Sequence, residues 1–199
     1  RSFDQMLGCF RERYPNLDGV DPANRGSNTD NSGQIFKQEE TREVQMDLDP
    51  GHRLEDVMVQ LENNNAGFVK NFVQRHADSA PEQRQQVMSF YPLMFLDALH
   101  RMARDFTICD HWFSSVPGPT WPNRFFALSG TSSGTVRMPK GITDSDLEGF
   151  FAQHQDTIFD RLNEAQRSWK VYFYDFPSSL ILNHQRRPEN LAHYFRIDQ

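Results

Sequence analysis

The sequence is poor in cysteine, with Cys9 and Cys109 as the only two among its 199 residues. Two cysteines are too few for a disulfide framework or for a zinc site built from thiolates. One disulfide between them stays open, although two unreactive thiols are the favoured interpretation. The sequon Asn-x-Ser/Thr is absent as well, so the sequence does not point to N-glycosylation.

Long apolar runs and basic charge are also lacking. No run approaches the roughly 18 to 20 apolar residues that span a bilayer, and the N-terminus has no basic-then-apolar signal segment. The net charge of −6 argues against binding nucleic acid through phosphate contacts. The sequence therefore predicts neither an integral membrane segment nor a nucleic-acid partner. Because it starts at Arg1 without methionine, it leaves the cellular compartment open.

Aromatic residues, in contrast, are plentiful. The chain has 17 phenylalanines and is 13% aromatic, which predicts a buried core. Apolar residues in the first half recur with the spacing of one helix face. This spacing predicts helices over residues 3–10, 54–61, 68–73, 81–91 and 92–104. Residues 16–33 are rich in Asn, Asp, Gly and Ser and are predicted to form a long loop of the functional or mobile kind.

The second half of the chain mixes helix and strand signals. Residues 106–109, closely followed by Trp112 and Phe113, are predicted to be a buried strand, residues 169–174 a second strand, and residues 180–182 a short third. A helix is predicted over 121–128, with Thr120 as its N-cap and Pro122 in its first turn.

A further helix is predicted over residues 147–166, where Ser145 and Glu148 form a capping box. Helices alternating with short buried strands predict an α/β fold with a mostly parallel sheet flanked by helices. Two or three strands are fewer than a usual sheet contains. The chain 1–199 is therefore expected to be a single incomplete domain.

Two motifs resemble functional sites but have simpler interpretations. Residues 130–134 fit the G-x-S-x-G pattern around Ser132, yet a nucleophile elbow needs a strand before the serine and a helix after it, so a Gly/Ser turn is favoured. Asp144, Asp146 and Glu148 alternate like calcium ligands, but no glycine or distal glutamate completes the loop. Capping of the helix over 147–166 is the favoured role for these acids.

Cys109 and His111 would face the same side of a strand and could act as metal ligands. Two ligands do not make a zinc site, so a core thiol and a polar histidine are favoured. The remaining histidines show no ligand spacing, and most are expected to be surface or capping residues.

The segment from Cys109 to Arg124 carries the strongest candidate site. It places the Thr120 hydroxyl at a strand-to-helix junction inside a Pro/Gly-rich loop, with Asn123 and Arg124 within one turn. Backbone N–H groups at a helix N-terminus favour an anion, so a phosphate could lie beside Thr120. From the residues alone, a structural capping threonine remains the favoured interpretation.

Several blocks, in order, resemble the phosphoesterase family of bacterial phospholipases C, plant non-specific phospholipases C and related acid phosphatases. The opening Arg-Ser-Phe-Asp at residues 1–4 resembles the end of the family's Glu-Asn-x-Ser-Phe-Asp start, and Asp-Pro-Gly-His at 49–52 resembles a second family block. Val-Pro-x-x-Thr-x-Pro-Asn-Arg at 116–124 is a long and specific signature of its nucleophile segment. Residues 169–177 resemble the Trp-x-x-Tyr strand that follows.

The resemblance implies a partial alkaline-phosphatase-like sandwich in which Thr120 is the nucleophile. In such enzymes a bound divalent metal ion, here of unknown identity, is liganded by this hydroxyl and lowers its pKa. In-line attack would release an alcohol and leave phospho-Thr120 for hydrolysis. Asn123 and Arg124 match the motif and are inferred to bind the phosphate, although Arg124 could equally brace the loop. The implied substrate is a phospholipid phosphodiester or a small phosphomonoester.

The chain also departs from the family pattern. The opening Glu-Asn pair and the later acidic and His-Gly-Gly segment that supplies metal ligands are absent, and family members are roughly twice as long or more. The 199 residues alone are therefore predicted not to catalyse. The alternative function is a non-catalytic α/β binding protein that keeps the fold. Because family members are often exported in bacteria, the resemblance favours a secreted or periplasmic parent, with a cytoplasmic one still open.

Aromatic residues surround the candidate nucleophile in the sequence, namely Trp112, Phe113, Trp121, Phe125 and Phe126. They could line a pocket for acyl chains, but an ordinary hydrophobic core is the favoured interpretation.

Overall fold

The computed structural model describes residues 2–138 and 154–198. The chain divides into two compact units, residues 1–113 and 114–199. That both belong to one incomplete domain stays a prediction. Among the described residues, no helix is both long enough and apolar enough to cross a membrane.

The first unit is built from short helices and very short strands. In chain order these are α1 (Phe3–Leu7), a 3₁₀ turn (Gly8–Glu12), β1 (Ser27–Thr29), β2 (Ile35–Lys37), β3 (Glu39–Glu40), α2 (Leu54–Gln60), α3 (Glu62–Asn65), α4 (Phe68–Arg75), α5 (Pro81–Gln86), β4 (Ser89–Phe90) and α6 (Asp97–Asp105). The helical spacing is confirmed at α1, α2 and α4. The helix predicted over 81–91 ends earlier, and the one predicted over 92–104 begins only at Asp97.

The core of the first unit is formed by residues of the N-terminal 3₁₀ turn and the loop after it, together with β4 and α6. Its buried apolar members are Cys9, Phe10, Val20, Phe90 and Ala103. Both cysteines are free thiols, Cys9 buried and Cys109 exposed, as the favoured interpretation predicted. Burial raises the pKa of the Cys9 thiol to about 11, so this sulfur is unreactive at neutral pH.

The loop predicted over 16–33 is wrong at residues 27–29, which form β1, and the turn that follows is ordered by polar side chains. The buried Asp30 carboxylate accepts hydrogen bonds from the Ser32 hydroxyl (2.6 Å), from the backbone N–H groups of Ser32 and Gln34, and from the Arg84 guanidinium (2.9 Å). The Ser32 hydroxyl contributes most to holding the pKa of Asp30 below its ordinary value. These bonds give the loop a structural role that its composition alone did not predict.

The second unit contains the candidate nucleophile. Its elements are α7 (Thr120–Ser129), α8 (Ile158–Glu164), β5 (Val171–Phe173), two 3₁₀ turns (Ser178–Ile181 and Asn183–Arg186), α9 (Pro188–Leu191) and β6 (Tyr194–Arg196). Phe125 of α7 is fully buried against Ile181 and Leu182. This contact fixes one face of α7; in the first turn Pro122 is also buried, whereas Thr120 is exposed.

Two of the predicted strands are wrong. Residues 106–109 form no strand in the described part of the chain, and Phe106, Trp112 and Phe113 are 75%, 82% and 72% exposed. A local apolar run cannot show whether a partner strand exists, which is why the pattern misled. Residues 180–182 belong to or directly follow a 3₁₀ turn instead of a strand.

The helix predicted over 147–166 is also only partly present. Residues 154–157 are not helical, and α8 begins at Ile158, where the Thr157 hydroxyl accepts from the Asp160 N–H and the Asp160 carboxylate accepts from the Thr157 N–H. This capping box stops any helix from running through Thr157. The capping box predicted at Ser145 and Glu148 lies outside the described residues, as do the candidate ligands Asp144, Asp146 and Glu148.

The sheets are small and of both kinds. β1 pairs with β2 antiparallel, β3 pairs with β4 parallel, and β5 pairs with β6 parallel, with Val171 opposite Tyr194. The strand predicted over 169–174 is thereby confirmed as β5. The chain is thus a mixed α/β structure with some parallel pairing, and the more specific alkaline-phosphatase-like sandwich stays a prediction.

Candidate active site

The loop before α7 presents Thr120 at the first position of a ten-residue helix. Pro119 is the N-cap, with extended backbone (ψ 170°), so the prediction that Thr120 caps the helix is wrong by one residue. Pro122 lies in the first turn as predicted, where its missing N–H is tolerated. The first turn contains no acidic side chain. The positive end of the helix dipole is therefore open to an anion.

The Thr120 side chain is exposed and, among the described residues, its hydroxyl takes part in no hydrogen bond. It is therefore accessible to a ligand from solvent. No histidine or carboxylate of the described chain contacts this hydroxyl to accept its proton. An unassisted threonine hydroxyl is a weak nucleophile at neutral pH.

Asn123 holds the loop in shape through its side-chain amide. Its Oδ1 accepts from the Val116 N–H (2.9 Å), and its Nδ2 donates to the carbonyls of Val116 (2.9 Å), Pro119 (3.1 Å) and Gly118 (3.4 Å). One side chain thus ties residues 116–119 to the first turn of α7. The amide is used on the loop backbone, one helical turn from Thr120.

Arg124 points toward another segment of the same unit. Its guanidinium donates to the Ser178 hydroxyl (2.9 Å) and lies over the Trp121 ring, 5.4 Å from the centroid. The residue is exposed. It therefore braces α7 against the turn at 178–181 in this structure, which is the internal role that the sequence left open.

The residues around Thr120 do not form a metal-binding set. Among the described residues, one group of three His, Cys, Asp or Glu side chains has ligand atoms close enough to share an ion, namely Asp156, Asp160 and His184. A cleft of about 430 Å³ lined by residues 127–131, Asp156 and Arg161 places this group near the C-terminal end of α7. Thr120 is at the opposite end, and a ten-residue helix is about 15 Å long.

The group was missed in the sequence because His184 is far from the two aspartates along the chain. Asp156 and Asp160 have the i, i+4 spacing of a helix face, but His184 is brought to them only by the fold. The sequence analysis found no ligand spacing around the histidines because it compared only residues that are close together along the chain. No local motif could have found this contact.

The other candidates are not assembled as sites. Ser132 is 3% exposed and follows a helix that ends at Gly130 in the left-handed conformation (φ 70°), so the strand-serine-helix elbow is absent from this described segment. His111 is exposed and lies 3.8 Å from Asp18 and 4.0 Å from Asp110. It forms no metal group with Cys109 among the described residues.

The aromatic residues around the candidate nucleophile divide into two kinds. Phe125 is fully buried, and Trp121 packs against the same cluster. Trp112 and Phe113 are exposed. The hydrophobic-core interpretation therefore holds for Trp121 and Phe125, two of the three aromatics of α7, and fails for the two in the preceding segment; Phe126 is partly buried but is not a member of this cluster.

Comparison with known proteins gives the family. The model of the Phosphoesterase family matches residues 1–196. Non-specific phospholipase C3 of Arabidopsis thaliana is 31% identical over 204 residues, covering 94% of this chain and 37% of that protein, and non-specific phospholipase C1 of the same plant is 32% identical, covering 98% and 36%. Non-hemolytic phospholipase C of Pseudomonas aeruginosa is 32% identical over 96 residues, covering 46% of this chain and 14% of that protein.

The chain therefore belongs to the phosphoesterase family. It spans little more than a third of the length of the plant relatives that it matches. The family resemblance seen in the sequence blocks is thereby confirmed, while the activity of a complete protein is a separate question.

Proposed function

We propose that the protein containing this chain is a phosphoester hydrolase of the phospholipase C type and that Thr120 is its nucleophile. The supporting observation is the exposed Thr120 hydroxyl at the open N-terminus of α7, inside the family's Val-Pro-x-x-Thr-x-Pro-Asn-Arg signature. Relatives that match most of the chain are named phospholipases C. A phospholipid or small phosphoester is accordingly the proposed substrate class.

In the proposed reaction the Thr120 oxygen attacks phosphorus and the bond from phosphorus to the alcohol oxygen breaks. The hydroxyl proton ends on the departing alcohol, and a phosphothreonine remains. Water then cleaves this ester, releasing phosphate or a phosphomonoester and restoring the hydroxyl. Backbone N–H groups and the dipole of α7 stabilise the negative phosphoryl oxygens.

Arg124 is proposed to bind the phosphate, whereas Asn123 is proposed to position Thr120. Asn123 fixes the loop so that Thr120 keeps its position. Arg124 carries a permanent positive charge one turn from Thr120, so it can bind a phosphoryl oxygen if its hydrogen bond to Ser178 is exchanged.

We also propose a divalent metal ion at Thr120, and this part of the proposal is supported by the family resemblance alone. The described residues place no carboxylate or imidazole group around this hydroxyl, so we derive no step through an ion. For the same reason we propose that the 199 residues by themselves do not catalyse. Turnover of a phosphoester by the isolated chain with added divalent ions would contradict this.

The decisive experiment replaces Thr120 in the complete gene product that encodes this chain. Thr120→Val removes the hydroxyl with little change of shape, and turnover of a chromogenic phosphomonoester and of a phosphodiester should fall by on the order of 1000-fold or more. Thr107→Val is the matched control and should retain activity, while Ser132→Ala should have a milder effect. Mass spectrometry of acid-quenched enzyme should find phosphate on Thr120.

A second candidate function is motivated by the described residues, which place no carboxylate or imidazole group around Thr120. A non-catalytic phosphate-binding protein with this fold would bind a phosphoester at α7 without turning it over. In that case the complete gene product would bind inorganic phosphate but show no turnover, and Thr120→Val would change only the affinity.

A further inference from the structure

The group formed by Asp156, Asp160 and His184 has the chemistry of a cation site. Its three ligand atoms all lie within 4.8 Å of one another. His184 Nδ1 is 3.5 Å from Asp156 Oδ1 and 3.4 Å from Asp160 Oδ2. An imidazole nitrogen thus faces one oxygen from each of two carboxylates.

The imidazole nitrogen is buried and has no hydrogen-bond partner. The His184 side chain is 18% exposed, and its Nδ1 atom is inaccessible to solvent without a hydrogen bond from any described group. A buried polar atom that makes no hydrogen bond is unfavourable unless something else satisfies it. A proton shared with the carboxylates or a metal ion are the two species that fit between these atoms.

A buried hydrogen-bond network holds the two ligand-bearing segments together. The fully buried Gln185 donates from Nε2 to the Thr157 hydroxyl (2.9 Å), and its Oε1 accepts from the Tyr194 hydroxyl (3.3 Å). Asn190 donates to the His184 carbonyl (2.7 Å). Residues adjacent to Asp156 and His184 are therefore fixed, so the ligand atoms are brought together before any ion binds.

The surrounding charges leave the group net negative. Arg161 donates to Asp156 Oδ2 (2.9 Å) but also to Glu164 (2.8 Å), and His184 faces the other oxygen of Asp156. Asp160 Oδ2 accepts from Thr157 N–H (2.6 Å) and hydroxyl (2.7 Å). A cation between the two carboxylates would therefore meet two negative charges and one shared arginine.

We propose that Asp156, Asp160 and His184 bind a divalent transition-metal ion of the zinc class, at a site separate from Thr120. Two carboxylate oxygens and one imidazole nitrogen are a ligand set that zinc accepts at about 2.0 to 2.2 Å after a small inward movement, with water completing the tetrahedron. Calcium and magnesium take oxygen ligands and disfavour the imidazole. The proposal does not depend on the proposed hydrolase function.

Zinc binding to the metal-free chain tests this proposal. Isothermal titration at pH 7.5 should show one Zn²⁺ per chain, with calcium failing to compete at tenfold excess. Asp156→Asn and His184→Gln should each weaken binding at least tenfold. Cobalt substituted at the site should give visible absorption that both variants abolish.

His111→Gln is the matched control, because His111 also lies near two carboxylates but at the surface. It should leave zinc binding unchanged. Absence of saturable binding, or binding that survives both Asp156→Asn and His184→Gln, would overturn the proposal, as would loss of binding in His111→Gln. Circular dichroism of each variant, compared with the parent chain, shows whether a lost signal reflects lost folding. If Asp156→Asn alone remains folded, its tenfold weakening decides the question.

Discussion

Two loops of this molecule differ in how their polar side chains are used. In the turn over 30–34, between β1 and β2, the buried Asp30 carboxylate accepts four hydrogen bonds, so its oxygens serve the structure. In the loop over 116–120, Asn123 does the structural work, and the Thr120 hydroxyl is left exposed. The difference is one of availability: the Asp30 carboxylate is fully used by the protein itself, whereas the Thr120 hydroxyl stays accessible, as the proposed function requires.

Among the polar substitutions, the largest loss of stability is expected when the hydrogen bonds of Asp30 are broken. Asp30→Asn removes the charge facing Arg84, whose side chain is mostly buried, and should lower the free energy of unfolding by about 3 kcal/mol. Urea denaturation monitored by circular dichroism measures this. Asp97→Asn breaks an exposed pair with Arg101 and should cost less than about 1 kcal/mol. Equal losses in the two variants would contradict the structural role of Asp30.

The next largest loss of stability is expected at the loop that presents Thr120. Asn123→Ala removes the amide that ties Val116 and Pro119 to α7 and should lower stability by about 1 to 3 kcal/mol. In the complete gene product kcat should fall while KM changes little, because Thr120 loses its position. Asn163→Ala, which removes a partly buried amide elsewhere in the same unit, is the control. It should lower stability without changing kcat.

The pH dependence of stability sharpens the first comparison. Because hydrogen bonds, led by that of the Ser32 hydroxyl, lower the pKa of Asp30 from its ordinary 3.8, the stabilisation is fully present above that value. It is lost as the pH falls through the lower pKa of the folded state. Urea titrations between pH 2 and 6 should therefore show a smaller acid loss in Asp30→Asn than in the parent chain. Identical acid profiles would show that Asp30 is not the titrating group.

The smallest effect is expected where the predicted strand failed to form. Trp112→Ser and Phe113→Ser alter exposed rings in the isolated chain and should change the free energy of unfolding by no more than about 0.5 kcal/mol. Phe125→Ala, which empties a fully buried position, should cost about 3 to 5 kcal/mol and serves as the contrast. A large loss in Trp112→Ser would restore the buried-strand interpretation.

What the sequence predicted well was local. The spacing of Leu54, Val57, Met58 and Leu61 predicts a helix, and α2 is there, because a helix forms its backbone hydrogen bonds within one segment of the chain. The spacing did not predict which side chains are buried: Asp56 and Gln60 are buried, whereas Met58 and Leu61 are exposed. Residues 106–109 show the limit, since a strand exists only through hydrogen bonds to another strand that the run itself does not reveal.

The candidate site also has parts that the sequence predicted and parts that it did not. Thr120, Asn123 and Arg124 lie within five residues, so a contiguous signature could identify them, and the family match to residues 1–196 agrees with it. The contacts that each makes were beyond prediction, because Asn123 could have faced either the ligand or its own loop. His184 reaches Asp156 and Asp160 only through the folded second unit, and no spacing rule spans that separation.

The hydrogen bonds of Asn123 also mean that replacing its side-chain nitrogen by an oxygen would disrupt the loop. An aspartate there has nearly the same shape, but an oxygen would replace the nitrogen that donates to the carbonyls of Val116, Gly118 and Pro119. A negative charge would then face three acceptors and, in the proposed function, would also repel an approaching phosphate. Spontaneous deamidation of Asn123 would therefore disturb this loop more than truncation of the side chain to alanine, which places no charge opposite these carbonyls.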